Sequence, residues 1–221
     1  MRTLTQFLAV ILITLAAGAQ STTDREKAAV QSHLTSAEAA LASARASGAE
    51  TLAPDLYEEA ARRLQIARGN WGSNDRDARH TAGLRAIEAG YAAAAAEAQA
   101  QLVAVNSEVR NLRTEIGRFG GTAVELALYD PPARRSSGAT SLDRVIIAES
   151  AVASARAAGA DQVAAADLQR AEDVLKSARI VAKRHEQSVT ADHLSFVAEM
   201  TARRAEALAR RNLVLRRLPD L

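Results

Sequence analysis

The sequence predicts an all-α protein with long amphipathic helices in two tandem three-helix bundle-like units of coiled-coil character, after an N-terminal signal peptide. Alanine, the best helix former, makes up about a quarter of the 221 residues. Only 3% of the residues are aromatic, and an alanine methyl contributes only about 0.8 kcal/mol when it is buried. The core must therefore be thin, and closely packed helices are the architecture that fits it.

The first 19 residues have the pattern of a secretory signal peptide. Arg2 supplies a positive charge, residues 7–17 form an unbroken apolar run, and Ala17-Gly18-Ala19 is a small-x-small cleavage pattern. A bilayer-spanning helix needs about 20 apolar residues, so cleavage after Ala19 is favoured over retention as a membrane anchor. Bacterial lipoproteins carry a cysteine where Ala19 stands, and the chain has no cysteine, which excludes a lipid anchor and disulfides. We expect a soluble or peripherally attached protein of the periplasm.

The first unit, residues 20–117, should contain three helices. The first runs to Gly48, the second from Pro54 to about Gly69, and the third is about forty residues, or about 60 Å, long. The apolar positions of the third helix follow a heptad pattern with one four-residue stutter. They are Leu84, Ile87, Tyr91, Ala94, Ala98, Leu102, Val105, Val109, Leu112 and Ile116.

The C-terminal part of this third helix is longer than the helices beside it. Its excess length can pack on the second unit or on another chain. We predict self-association through this part, abolished by Val109→Lys. The residues of the predicted association seam are Leu102, Val105, Val109, Leu112 and Ile116.

Glycine, proline and serine interrupt the helical pattern at residues 118–140, which we interpret as a linker. The second unit, residues 141–221, then repeats the first at an offset of 111 residues. Ala37-Glu38 matches Ala148-Glu149, and Gly48-Ala49 matches Gly159-Ala160. This shared register predicts a tandem duplication, in which the third helices align less clearly. The units form either an elongated pair of bundles or one longer coiled assembly.

The segment from Ala37 to about Ala100 has a characteristic order of small and apolar residues, namely Ala44, Gly48, Ala49, Leu52, Ala53, Pro54, Leu56, Ala60, Leu64 and Ala67. Through these residues it resembles the bacterial domain-of-unknown-function family 4398, an alanine-rich helical domain of exported and outer-membrane-associated proteins. Leu52 stands where the family usually has tyrosine, and the second copy has Ala164-Ala165 in place of Ala-Pro. The resemblance implies an envelope location and a scaffold or interaction role, and it supplies no catalytic residue. The peptidoglycan-binding domain that often accompanies the family has no counterpart in the strand-free pattern after residue 141.

Charge patterning gives one candidate binding surface. Lys and Arg number 28 against 26 Asp and Glu, so the chain is nearly neutral and lacks the basic excess of a nucleic-acid binder. Arginine pairs six or seven residues apart in the last helix predict a stripe for anionic phospholipid, lipopolysaccharide or an acidic partner. The alternative is that these cations stabilise a helix C-terminus and cover alanine-rich seams. The stripe consists of Arg203, Arg204, Arg210, Arg211, Arg216 and Arg217.

No residue pattern indicates catalysis, a metal or another cofactor. His185-Glu186 lacks the second histidine of a zinc protease motif, because Val189 stands at its position. We interpret the four histidines as boundary or solvent-facing side chains. Trp71, in a glycine-flanked turn, is a candidate recognition aromatic for a partner or glycan, or else a cap on the end of the bundle.

These observations predict a non-enzymatic periplasmic scaffold or adaptor whose partner is a protein, either a second copy or an envelope component. The alternative is a binding module for anionic envelope material, such as a membrane surface or the cell wall, through the arginine stripe. Neither nucleic acid nor a small-molecule substrate is indicated.

Overall fold

The computed structural model describes residues 22–73, 75–118, 140–185 and 188–217. These residues form helices without strands, so the all-α prediction is confirmed. The predicted signal peptide lies outside the described residues, as does the predicted linker apart from its ends. The helices are α1 (Thr22–Ala46), α2 (Ala49–Leu52), α3 (Pro54–Trp71), α4 (Arg76–Arg118), α5 (Ser141–Ala157), α6 (Ala160–Val163), α7 (Ala165–Arg184) and α8 (Val189–Arg217).

The turn between the first two long helices has the same geometry in both units. Gly48 and Gly159 adopt left-handed backbone conformations, with φ of 79° and 82°. Glycine suits this conformation because it has no Cβ to clash with the following carbonyl. A single helical turn follows each glycine, and α3 and α7 then begin at Pro54 and Ala165, again 111 residues apart. The repeated sequence thus forms a repeated structure.

An exposed ion pair recurs at the same offset. Arg68 pairs with Glu38 at 2.8 Å, and Arg179 pairs with Glu149 at 2.6 Å. Each pair joins the first long helix of its unit to the second. All four side chains are substantially exposed, so each pair contributes at most about 1 kcal/mol.

The third helices also correspond, at an offset of 109 rather than 111. The face of α4 toward the first unit consists of buried alanines spaced three and four residues apart. The matching face of α8 has the same spacing, with Ser195 in place of one alanine. The paired positions are Ala82 and Ala191, Ala86 and Ser195, Ala89 and Ala198, Ala93 and Ala202, Ala96 and Ala205, and Ala100 and Ala209.

The side of α4 that packs on the other helices of the first unit therefore consists of small residues. The larger apolar residues of the predicted heptad pattern do not form it. Leu84, Ile87, Tyr91 and Ala94 are only partly buried. Helix axes can approach closely across a face of alanines. The closely spaced helices enclose the thin core that the composition predicts.

The two units meet where α4 packs along α8. His193 of α8 lies against Glu88 of α4, and further along Leu102 of α4 clusters with Ala207 and Leu208 of α8. The contacts advance in the same direction along both helices, so α4 and α8 run parallel. Met200 of α8 completes the core cluster of the first unit. Residues of the second unit thus contribute to the core of the first.

Candidate functional site

A buried cluster of charged side chains lies at this junction. Its centre is the Glu88 carboxylate of α4, which is 2% exposed. Arg63 of α3 donates a short hydrogen bond to one carboxylate oxygen, and Arg85 Nη1 donates to the same oxygen at 2.7 Å. The other oxygen lies 3.1 Å from Nδ1 of His193. One carboxylate therefore connects three helices from the two units.

Arg63 is held on two further sides. Its Nε donates to Glu59 at 2.6 Å, one helical turn earlier on α3. Its guanidinium carbon lies 3.6 Å from the ring centroid of Phe196 in a cation–π contact. Phe196 belongs to α8, so this arginine also bridges the two units. We call Glu59, Arg63, Arg85, Glu88, His193 and Phe196 the junction cluster.

The electrostatics of the junction cluster favour charged forms. Burial by itself raises the pKa of Glu88, but the hydrogen bond with His193 and the charges of Arg63 and Arg85 outweigh it, and the net pKa lies below its ordinary value. Burial lowers the pKa of Arg63 despite Glu88 and Glu59, although a guanidinium stays protonated at any pH at which proteins fold. An ionised carboxylate only accepts hydrogen bonds, so the proton of His193 lies on Nδ1.

Sequence reasoning missed the junction cluster, although a signal was present. Arg63 lies three residues after Ala60 and four before Ala67, both of which are buried. It therefore occupies a core-facing position of an amphipathic helix. An arginine there indicates a buried ionic partner.

Next to the cluster is a cavity of about 190 Å³. It lies between α3 and α4 of the first unit and the start of α5 of the second. Four of its five lining residues are arginines. The lining residues are Arg62, Arg63, Ile66, Arg85 and Arg144.

The predicted arginine stripe is divided by ion pairs within the chain. Arg203 pairs with Glu199, Arg204 with Asp167 and Arg210 with Glu206. These three pairs support the alternative interpretation, in which arginines satisfy acids of the same bundle.

Helical geometry separates the stripe further. Arg216 lies seven residues after the buried Ala209 and so does not share the line of Arg203, Arg210 and Arg217. Arg216 and Arg217 are exposed, and Arg211 is partly buried. The exposed basic surface at this end of α8 is therefore smaller than the six-residue prediction.

The predicted association seam is partly occupied within one chain. Leu102 and Val109 are fully buried, and Leu102 packs on the second unit, one of the two alternatives that the sequence left open. Val105 and Ile116 are partly buried, and Leu112 is 37% exposed. Because Val109 is buried, Val109→Lys would disturb the fold of a single chain and cannot report on self-association alone.

The remaining candidate side chains are Trp71 and the four histidines. Trp71, the last residue of α3, is partly buried and packs on the core of the first unit. His33, His80 and His185 are exposed, whereas His193 belongs to the junction cluster. Among the described residues, no group of three histidine, aspartate or glutamate side chains is arranged to hold a metal ion.

Comparison with known families gives a match on the second unit. Residues 144–215 match the model of DUF4398, a domain of unknown function. This DUF4398 region covers α6 and α7 and most of α5 and α8. The residues that carried the likeness in the sequence belong to the first unit, whereas the match lies on the second. Membership of the first unit stays a prediction.

Comparison with curated proteins and with solved structures found no match. Within the described part of the chain, no helix combines the length and apolar character needed to cross a membrane.

Proposed function

We infer that this protein is a non-enzymatic scaffold or adaptor of the cell envelope, exported to the periplasm. The observation that carries the proposal is the junction between the units. Buried ionic and aromatic contacts join α3 and α4 to α8 and so connect the two alanine-rich bundles. A connected pair of helical units presents several long helix faces, which suits binding to more than one protein partner.

The envelope location rests on the sequence pattern of residues 1–19 and on the resemblance to an exported family. Fractionation of cells producing the full chain, followed by N-terminal sequencing, tests it directly. A periplasmic protein beginning at Gln20 is the expected result. A cytoplasmic protein that retains residues 1–19 would contradict export.

Site-specific photo-crosslinking in intact cells tests the scaffold role. Leu112 and Ile180 are 37% and 48% exposed and lie on different units, whereas Leu102 is fully buried and serves as the matched control. We expect crosslinkers at the two exposed positions to give discrete protein adducts and the one at Leu102 to give none. Absence of protein adducts at exposed positions on every helix would refute the adaptor role.

A second candidate function is binding to anionic envelope material. The observation that favours it is the exposure of Arg216 and Arg217 in the last turn of α8. Co-sedimentation with anionic vesicles and with cell-wall sacculi tests it. The double variant Arg216→Gln/Arg217→Gln should lose binding. The control Arg156→Gln/Arg179→Gln, with the same change in charge, should retain it, and equal binding by all three proteins would eliminate this candidate.

A further inference from the structure

We propose that the arginine-lined cavity between the two units is a binding site for a phosphoryl group. The cavity is built from α3, α4 and the start of α5, and none of its residues belongs to the C-terminal arginine stripe. The site therefore does not depend on the proposed scaffold role or on the second candidate function.

The arginines are positioned by carboxylates behind them. Arg62 donates twice through Nη2 to Glu59, and Arg85 donates through Nη1 to Glu88. Arg144 Nε lies 3.6 Å from Asp192, whose other oxygen accepts a hydrogen bond from Ser141. Guanidinium groups that already contact carboxylates lose less side-chain freedom when they bind a ligand than unpaired ones would.

Donor capacity remains after these contacts. Within the described residues, Arg62 donates through Nε and Nη2, Arg63 through Nε and Nη1, and Arg85 through Nη1, which leaves Nη1 of Arg62 and Nη2 of the other two for a ligand. Neither terminal nitrogen of Arg144 donates a hydrogen bond to another described residue. Arg63 is 6% exposed, so an oxygen that replaced water beside it would bind in a partly desolvated setting, where charge-assisted hydrogen bonds are strong.

The charges around the cavity leave a positive excess. Four guanidinium groups line it, whereas the carboxylates that contact them belong to Glu59, Glu88 and Asp192. Among these described side chains the excess is one positive charge, without any contribution from His193. One anionic group would neutralise it.

The arrangement of donors selects the class of anion. Guanidinium groups from three helices, α3, α4 and α5, line the cavity. A carboxylate offers two oxygens in a plane, whereas a phosphoryl group offers three or more in a tetrahedral arrangement and can accept from several forks at once. Ile66, 37% exposed, supplies an apolar contact at the edge for an organic substituent.

Isothermal titration calorimetry of the full mature chain with inorganic phosphate tests the site. Sodium chloride at the same ionic strength is the control titration. Arg85→Gln and Arg144→Gln change partly exposed side chains, and circular dichroism will show that both variants fold. We expect each to bind phosphate at least tenfold more weakly, which corresponds to about 1.4 kcal/mol. The control is Arg156→Gln, which removes the same charge about 18 Å further along α5, and its affinity should stay within twofold of the parent.

Two results would overturn the proposal: a heat for phosphate no larger than that for chloride, or unchanged phosphate affinity in folded Arg144→Gln. Glycerol phosphate and phosphatidylcholine vesicles containing phosphatidic acid then distinguish a soluble ligand from a lipid headgroup. Binding of either that is lost in Arg144→Gln supports this site and identifies the source. Vesicle binding that survives Arg144→Gln but requires Arg216 and Arg217 would assign lipid binding to the end of α8 and contradict a lipid ligand in the cavity.

Discussion

The junction cluster makes a strong prediction about stability. Glu88→Gln keeps the shape of the side chain but removes the charge that faces Arg63 and Arg85 at a position only 2% exposed. Removing one partner of a buried ion pair costs about 3–5 kcal/mol, because the other charge stays buried without compensation. Arg63 retains Glu59, so we expect the lower end, about 3 kcal/mol.

The matched control is Glu38→Gln. Glu38 pairs with Arg68, and their side chains are 43% and 59% exposed, so the same substitution should cost less than about 1 kcal/mol. Urea unfolding followed by circular dichroism and by the fluorescence of Trp71, the only tryptophan, measures both variants. Trp71 reports on the first unit, so separation of the two unfolding curves in Glu88→Gln would show that the junction has been uncoupled.

A double variant separates charge from packing. Arg63→Met with Glu88→Leu replaces the buried ions by apolar side chains of broadly similar length, and such replacements are often close to neutral. We expect the double variant to be more stable than Glu88→Gln alone. The reasoning is refuted if Glu88→Gln costs no more than Glu38→Gln, since the buried carboxylate would then contribute no more than a surface one.

Three further predictions concern pH, the backbone and packing. The pKa of Glu88 is lower in the folded protein than in the unfolded chain. The ionised Glu88 side chain therefore contributes fully to the free energy of unfolding above the pKa of glutamate in the unfolded chain, about 4.3, and this contribution is lost as pH falls through the folded pKa. Unfolding free energies measured from neutral to acid pH should therefore decline less steeply for Glu88→Gln than for the parent. Gly159→Ala should destabilise the protein by about 1–2 kcal/mol in urea unfolding, because φ is 82° although a Cβ would meet no atom within 4 Å. Gly69→Ala, equally unobstructed but helical, should stabilise it by up to about 1 kcal/mol, and a loss there as large as at Gly159 would contradict the backbone argument. Leu102→Ala should cost about 2–5 kcal/mol and Leu112→Ala under about 1 kcal/mol by the same assay, and equal losses would mean that Leu102 does not pack as described.

The helical architecture could be predicted because it depends on local signals. Helix propensity, the glycine turns and Pro54 at the first position of α3 act within a few residues along the chain. The offset of 111 between the two units could be recognised for the same reason. The offset of 109 between the third helices is difficult to find from sequence, because runs such as Ala92–Ala96 match in several registers.

The junction cluster could not be predicted in full because it depends on distant residues. Arg63 at a core position indicates a buried partner, but Glu88 and His193 are 25 and 105 positions apart from their respective partners in the chain. Nothing local determines which acid meets which base. The cavity likewise exists only because Arg144 of the second unit is brought beside Arg62 and Arg85 of the first.

The correspondence between the two units also shows where they differ. At the position of Arg63 the second unit has Val174, and at the position of Glu88 it has Val197, by the offsets of 111 and 109. Two nearly equivalent alanine-rich bundles could in principle exchange helices between copies of the chain, since their small-residue faces are alike. An exchange that placed α8 in the first unit would put Val197 beside Arg63 and deprive that charge of the Glu88 carboxylate. The Arg63–Glu88 pair therefore makes the two units unequal although their alanine faces are alike. It distinguishes α4 from α8 by charge as well as by shape.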